Sequence, residues 1–120
     1  MPVRVPGASR LGEGEARTFA YVEAGELREG FVLCTGGRLM AYRNRCPHLG
    51  VDLDMGTGAF FSAKLGRIYC HTHGATFEPA TGRCDAGPCL GQALEPLGVR
   101  VEGEDAVVSE SPGGVRNGCA

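Results

Sequence analysis

Short apolar runs separated by glycine and proline dominate the chain. Thr18–Val22 has the β-branched and aromatic content of a strand, and Phe31–Thr35 and Arg38–Tyr42 are two short apolar runs. Gly36-Gly37 joins these two runs. Because glycine reaches positive φ at little cost, a two-residue Gly-Gly link between such runs predicts a tight β-hairpin.

The second half of the chain continues this pattern, and no window sustains helical spacing. The one helical candidate, Gly50–Gly66, is interrupted by Gly56 and Gly58. About seven short strands with turns between them predict an all-β fold, a small antiparallel sandwich or barrel. The later predicted strands are Arg67–Cys70, Ala75–Glu78, Leu97–Val101 and Ala106–Ser109, with turns at Pro79–Gly82 and Gly103–Asp105.

The chain divides into three parts. Residues 1–16 mix Gly, Pro, Glu and Arg without periodicity, which predicts an N-terminal arm leading into the fold. Residues 17–109 carry every predicted strand and form the expected domain. Residues 110–120 have no core-forming pattern and are expected to be a flexible tail. A chain of 120 residues accommodates one small core.

Composition and charge exclude several classes of function. Twelve basic against 14 acidic residues give a net charge of -2, which argues against nucleic-acid binding because that needs clustered positive charge. With 42% hydrophobic residues the chain is not disordered. No apolar run approaches the roughly 20 residues that span a bilayer, and the first ten residues lack the apolar core of a secretion signal. We therefore expect a soluble cytoplasmic protein that does not bind membranes.

The cysteines and histidines point to metal or redox chemistry. The chain has 6 Cys and 3 His. In a reducing compartment, several Cys with nearby His indicate metal ligands or redox groups rather than a disulfide framework. All three histidines lie between residues 48 and 73, and three of the cysteines, at positions 46, 70 and 84, fall in or beside the same stretch.

Two short segments carry the candidate ligands. Residues 46–50 read CPHLG, a C-x-H, and residues 70–74 read CHTHG, which contains a C-x-x-H. Each segment supplies a thiolate and an imidazole from a tight loop ending in glycine. Pro47 fixes its own φ and donates no hydrogen bond, which stiffens the first loop.

This pair of loops resembles the Rieske [2Fe–2S] proteins, in which two Cys bind one iron and two His the other. The likeness extends over residues 17–109 and includes Phe77, Thr81-Gly82, Gly87-Pro88 and the closing hairpin. It implies a Rieske-like fold whose cluster-binding subdomain is formed by two loops, and one [2Fe–2S] cluster per chain. Carried over residue by residue, it implies the ligand set Cys46, His48, Cys70 and His73 and no catalytic residue.

The linker between the two loops is longer than the family pattern. Twenty-one residues separate His48 from Cys70, which is about four to six more than the resemblance leads us to expect. We place the excess in Gly56–Gly66, as an enlarged loop beside the cluster. The ligand assignment is unaffected, but the shape of the surface around the cluster is left open.

Four further positions depart from the quinol-oxidising branch of the family. That branch joins its loops by a disulfide, where this chain has Val51 and Thr72, and it bonds the cluster through Ser and Tyr hydroxyls, where this chain has Ala75 and Phe77. Each missing donor removes stabilisation of the more negative reduced state. The resemblance is therefore to the low-potential, soluble ferredoxin branch, and we predict a midpoint potential below zero.

Other cysteines and histidines have competing interpretations. A structural zinc site also uses two Cys and two His, although its usual spacings differ. His71 is expected to face solvent near the site because Cys70 and His73 already complete the second loop. Cys34 is interpreted as core filling and Cys119 as a bystander thiol. Cys84 and Cys89 form either a local disulfide or redox pair, or two partly buried thiols, which a cytosolic location favours.

The ligand set favours electron transfer. With two thiolates and two neutral imidazoles the oxidised cluster has no net charge, so it accepts an electron more easily than a four-Cys cluster. Every ligand position is filled and no substrate pocket is implied, which favours a carrier over a catalyst. We expect a one-electron carrier with a flavin reductase as donor and an oxygenase or reductase as acceptor. The alternatives are a small Rieske-like subunit of a reductase complex, such as a nitrite reductase, and a zinc-binding structural module.

Overall fold

The computed structural model describes residues 2–47, 50–72 and 74–109. Ten strands and one short 3-10 helix, Ala8–Arg10, run through these residues. The all-β prediction is confirmed. The strands are β1 (Val3–Val5), β2 (Ala16–Glu23), β3 (Glu26–Thr35), β4 (Arg38–Arg43), β5 (Phe61–Ser62), β6 (Arg67–Tyr69), β7 (Thr76–Phe77), β8 (Cys84–Ala86), β9 (Pro96–Glu102) and β10 (Asp105–Ser109).

Six strands form the larger sheet, in the order β1-β10-β9-β4-β3-β2 and with antiparallel pairing throughout. The predicted Gly-Gly hairpin joins β3 to β4, with Thr35 paired to Arg38. Gly36 and Gly37 have φ of 63° and 76°. Two consecutive left-handed residues are what a two-residue turn requires to match the twist of its strands, and glycine adopts them without steric cost.

The N-terminal segment differs from the prediction of an arm. Val3–Val5 forms β1 and pairs with Ala106–Val108 of β10. After this strand, Ala8 and Leu11 are buried, with 0% and 5% of their surface exposed. Three alternating residues between two prolines are too short for a periodicity signal, and their strand partner lies about a hundred residues away in sequence. Residues 3–11 therefore belong to the folded domain.

Strand β3 separates two apolar clusters. Because successive side chains of a strand point to opposite faces, Val32 and Cys34 enter one cluster, with residues of β1, β9 and β10. Phe31 and Leu33 enter the other, with residues of the smaller sheet. The larger sheet is thus covered on both faces where β3 crosses it, and its second face supports the candidate site.

The smaller sheet has the order β5-β6-β7-β8 and carries the second candidate loop. β6 ends at Tyr69, immediately before that loop, and β7 begins at Thr76, immediately after it. The first loop follows β4 of the larger sheet. In the described part of the chain, no helix is long and apolar enough to cross a membrane.

Candidate metal centre

The first candidate loop is closed by two backbone hydrogen bonds. The Cys46 N–H donates to the Val51 carbonyl over 2.7 Å, and the Gly50 N–H donates back to the Cys46 carbonyl over 2.7 Å. Gly50 has φ of 72°, in the left-handed region that glycine adopts readily. The terminal glycine of CPHLG is therefore required by the turn that returns the chain.

The second loop repeats this pattern residue for residue. The Cys70 N–H donates to the Ala75 carbonyl over 2.8 Å, and the Gly74 N–H donates to the Cys70 carbonyl over 2.9 Å. Gly74 has φ of 70°. The two loops thus share the same closing bonds, with a cysteine at the start and a left-handed glycine four residues later.

Both cysteines at the loop bases are buried. Cys46 is 1% exposed and Cys70 is 0% exposed, and both belong to the apolar cluster between the two sheets. His48 and His73, the two expected imidazole ligands, lie outside the described residues. The structure therefore places the two thiol positions in one cluster at equivalent points of two loops, and the imidazole assignments stay predictions.

His71 is half-buried and already engaged, rather than turned to solvent as expected. Its Nε2 lies 2.8 Å from the Ala59 carbonyl oxygen, and its ring stacks on Tyr69 with centroids 4.6 Å apart. Its backbone N–H donates to the Leu53 carbonyl over 2.9 Å. These contacts direct the imidazole towards the 50–66 segment, which is consistent with excluding it from the ligand set.

The 50–66 segment, which includes the expected enlargement at Gly56–Gly66, is built around Asp54. Asn44, at the end of β4, donates from Nδ2 to Asp54 Oδ1 over 3.0 Å, and its Oδ1 accepts the Leu53 N–H over 2.8 Å. The other Asp54 oxygen accepts the Gly58 N–H over 2.9 Å. Asn44 and Asp54 are 4% and 3% exposed. This network connects the larger sheet to the segment between the two candidate loops.

The hydrogen bonds to Asp54 control its ionisation. Burial alone disfavours the carboxylate, but donors from Asn44, Gly58 and Gly56 outweigh burial and hold the pKa of Asp54 below its ordinary value. The carboxylate is therefore charged at neutral pH and acts as a fixed acceptor. Sequence reasoning missed Asn44 and Asp54, since neither belongs to a motif and their pairing arises only on folding.

The segment also packs apolar groups behind the site. Phe60 is 1% exposed and stacks on Phe31 of β3, with ring centroids 4.1 Å apart and planes inclined by 13°. Phe61 and Ser62 form β5 and pair with Ile68 and Arg67 of β6. The segment between the two candidate loops thus contributes one strand, β5, to the smaller sheet.

Positions that carry hydroxyls or an extra cysteine in the quinol-oxidising branch are apolar or exposed here. Ala75 and Phe77 are both 0% exposed. Thr72 is exposed and Val51 is half-buried. Gly87 lies against Ala75, since a Cβ built at Gly87 would approach the Ala75 Cα to 2.7 Å. The loop after β8 therefore packs directly on the second candidate loop.

Cys84 and Cys89 are free thiols in the same cluster as Cys46 and Cys70. They are 6% and 1% exposed, and are thus more completely buried than expected. The Cys89 Sγ donates to the Cys84 Sγ over 3.2 Å. Burial, followed by the hydrogen bond to Cys84, raises the pKa of the Cys89 thiol to about 12.

The two remaining cysteines lie away from the site or outside the description. Cys34 is 1% exposed in the apolar cluster on the other face of β3. It is disulfide-bonded, which the interpretation as a simple core-filling thiol did not foresee. Cys119 falls outside the described residues.

The donor set fits a metal cluster. Two buried sulfurs, each at the base of a loop whose tip carries a histidine in the sequence, suit a centre with mixed thiolate and imidazole ligands. The fold and the paired loops thus define a small all-β metal-binding protein in which the metal is held between two equivalent loops.

Residues 1–103 match the Rieske [2Fe-2S] domain, and the chain belongs to this family. Membership implies a [2Fe–2S] cluster. The structure is similar to the ferredoxin of carbazole 1,9a-dioxygenase from Nocardioides aromaticivorans IC177, at 31% identity and a TM-score of 0.69, covering 92% of this chain and 98% of that one.

Two further relatives differ in how much of their length this chain covers. A chain in a complex of reduced oxygenase and oxidised ferredoxin in carbazole 1,9a-dioxygenase is 25% identical, with a TM-score of 0.70, covering 93% of this chain and 95% of that one. The oxidoreductase NdmD of Pseudomonas putida is 38% identical over 66 residues, which are 54% of this chain. The match spans only 10% of NdmD.

Proposed function

We propose that this protein is a one-electron carrier, a Rieske-type ferredoxin, that holds its [2Fe–2S] cluster through Cys46, His48, Cys70 and His73. The observation that carries the proposal is the equivalence of the two loops, each of which has a buried cysteine, two closing hydrogen bonds and a left-handed glycine. When bound, the cluster supplies a centre that accepts and donates single electrons.

The surroundings of the site support a carrier rather than a catalyst. The cluster between the two sheets is filled by apolar side chains, including Phe60, Phe77 and Leu94, each at most 1% exposed. Such packing holds the two cysteines in place and excludes water from their sulfurs. With four protein ligands, neither iron has a position for a substrate, and electrons leave through the protein surface.

The proposed partners are a flavin reductase as donor and an oxygenase as acceptor. This assignment is supported by similarity along nearly the full length to a protein described as the ferredoxin of a dioxygenase, and to a chain of an oxygenase–ferredoxin complex. We also propose a cytoplasmic location, in keeping with the soluble ferredoxins that the chain resembles.

A second candidate is a fixed electron-transfer component of a larger redox enzyme, such as the small subunit of a reductase. The match to one-tenth of NdmD favours it, because there a similar segment is part of a much longer oxidoreductase. Co-purification distinguishes the two candidates. A ferredoxin is isolated alone and reduces its partner at catalytic concentrations, whereas a subunit is recovered with a large partner in fixed stoichiometry.

Metal and sulfide analysis, combined with electron paramagnetic resonance, tests the carrier directly. We expect two iron atoms and two acid-labile sulfides per chain, and a rhombic signal that appears on reduction with dithionite. Stoichiometric zinc without labile sulfide would instead establish the structural zinc module and refute the proposal.

A further inference from the structure

Two thiols lie side by side beneath the candidate centre and have no role in the proposed ligand set. The Cys89 Sγ is 3.2 Å from the Cys84 Sγ, which is closer than ordinary van der Waals contact between two sulfurs. The Cys84 thiol in turn donates to the Ala86 carbonyl over 3.2 Å. The Cys84 sulfur is therefore placed to accept from Cys89, and both thiols have a fixed direction.

Backbone hydrogen bonds connect both cysteines to Gln92. The Cys84 N–H donates to the Gln92 carbonyl over 2.9 Å, and the Gln92 N–H donates to the Cys89 carbonyl over 2.9 Å. Gly87, between the two cysteines, has a φ of 101°, so glycine allows the tight path that joins them. The two sulfurs are held together by the main chain as well as by their own hydrogen bond.

We propose that Cys84 and Cys89 are a reversible dithiol that closes to a disulfide when the protein meets a hydroperoxide. The sulfurs have to approach from 3.2 Å to the ~2.05 Å of an S–S bond, a movement that side-chain rotation supplies. Because the two residues are five apart and share Gln92, no strand of the smaller sheet has to separate.

The chemistry balances with the hydroperoxide as the two-electron oxidant. Cys84, the more exposed of the pair at 6% against 1%, attacks the peroxide oxygen. An S–O bond forms, the O–O bond breaks, and water or an alcohol leaves with the thiol proton. The Cys89 sulfur then attacks the Cys84 sulfur, an S–S bond forms, and the S–O bond breaks with loss of a second water. Two external thiols then reduce the disulfide to the dithiol and are themselves joined as a disulfide.

The positions of arginine and lysine provide a direct test of closure. Trypsin cuts after Arg83 and Arg100 and releases residues 84–100, which contain both cysteines of the pair and no other. Cys46 and Cys70 fall in two separate tryptic peptides. The holoprotein is treated with stoichiometric hydrogen peroxide, quenched in acid to expel sulfide, alkylated with N-ethylmaleimide and digested. We expect peptide 84–100 to be two hydrogens lighter and unalkylated, and to gain two maleimides after prior reduction with dithiothreitol.

Two matched variants, and a methionine whose oxidation reports the peroxide dose, complete the test. Cys84→Ser should leave Cys89 without a disulfide, and Cys89→Ser should leave Cys84 without one. Met55 is 57% exposed and its sulfoxide reports the peroxide dose. Two maleimides on peptide 84–100 at a dose that already oxidises Met55, or a disulfide to the Cys46 peptide, would overturn the proposal. Mass mapping detects the disulfide whether or not a cluster is bound. Failure of the dithiol proposal is therefore distinguishable from failure of the proposed function.

Discussion

Three histidines lie close together in the sequence, but only His71 has a partner that the described structure defines. Its Nε2 is 2.8 Å from the Ala59 carbonyl oxygen and its ring stacks on Tyr69. An imidazole held in this way is a structural link between the second candidate loop and the enlarged segment. This engagement of His71 favours the prediction that His48 and His73 are the imidazole ligands.

Replacing each histidine in turn tests this division of roles. We expect His48→Ala and His73→Ala to abolish the native cluster spectrum, because each removes one of two imidazoles from the same iron. His71→Ala should retain full iron and sulfide content and lose about 1 kcal/mol of stability with the Ala59 hydrogen bond. Iron and sulfide analysis with visible spectroscopy provides the measurement. Loss of the cluster from the His71 variant alone would reassign the ligand.

The ionisation of Asp54 makes the stability of the protein depend on pH. Its pKa is lowered in the folded protein, so its contribution to stability is present above the unfolded-state pKa near ~3.9 and is lost as the pH falls through the folded value. We expect Asp54→Asn to destabilise the protein by about 1–3 kcal/mol at pH 7, and the difference from wild type to shrink below pH 4.

Urea denaturation of both proteins between pH 7 and pH 3 measures this difference. Asp52→Asn is the matched control, because Asp52 is an exposed carboxylate two residues away and should change stability by less than about 0.5 kcal/mol. An Asp54 difference that is the same at every pH would indicate that shape, rather than charge, sustains the network.

Among the structural elements, the loop between β8 and β9 packs directly on the second candidate loop. A Cβ at Gly87 would lie 2.7 Å from the Ala75 Cα and 3.0 Å from its Cβ. Gly91, in the same loop, also has a left-handed φ, but a Cβ there would meet nothing within 4 Å. A substitution at Gly91 therefore introduces backbone strain alone, whereas a substitution at Gly87 introduces both strain and a steric contact.

Alanine substitutions at these glycines should have unequal effects. Gly91→Ala imposes only the left-handed conformation and should cost about 1–2 kcal/mol. Gly87→Ala adds the contact with the main chain of the second candidate loop, so we expect a further ~1–3 kcal/mol from overpacking and faster loss of the cluster. Urea midpoints and the decay of visible absorbance report the two effects. Equal destabilisation by both substitutions would show that Gly87 is required for its φ alone.

Local signals explain which elements the sequence predicts. The β3–β4 hairpin is encoded by two apolar runs and Gly36-Gly37, and the ligand loops by CPHLG and CHTHG. β1 was missed because a three-residue strand is defined by its partner, β10, which is distant in sequence. β5 and β8 are likewise short strands within loop-like segments. Periodicity finds strands that are long enough to alternate.

Sequence patterns also predict only part of the candidate site. Its cysteines and histidines follow from motif spacing, whereas the hydrogen bonds that support them come from residues such as Asn44 and Asp54, which meet only in the folded protein. Counting residues between the two loops shows a long linker, and the placement of its excess in Gly56–Gly66 stays a prediction. The packing of Phe60 on Phe31 is a tertiary property that residue counting does not reveal.

At the scale of the whole molecule, the redox potential depends on the charge of the site and on the hydrogen-bond donors around it. Rieske centres span about -150 to +300 mV. Ala75 and Phe77 are completely buried and have no hydroxyl, so neither side chain donates to the cluster. We therefore expect a midpoint below zero, suited to electrons that derive from a nicotinamide through a flavin reductase rather than from a quinol.

Restoring the hydroxyls should raise the potential. A hydrogen bond to a charged acceptor contributes about 1.5–3 kcal/mol, and 59 mV corresponds to about 1.4 kcal/mol for a one-electron couple. If half of each contribution distinguishes the two redox states, Ala75→Ser with Phe77→Tyr should raise the midpoint by on the order of 100 mV. A redox titration monitored by electron paramagnetic resonance at neutral pH measures it, with each single variant as a control. A wild-type midpoint well above +100 mV, or no rise in the double variant, would show that the missing donors do not set the potential.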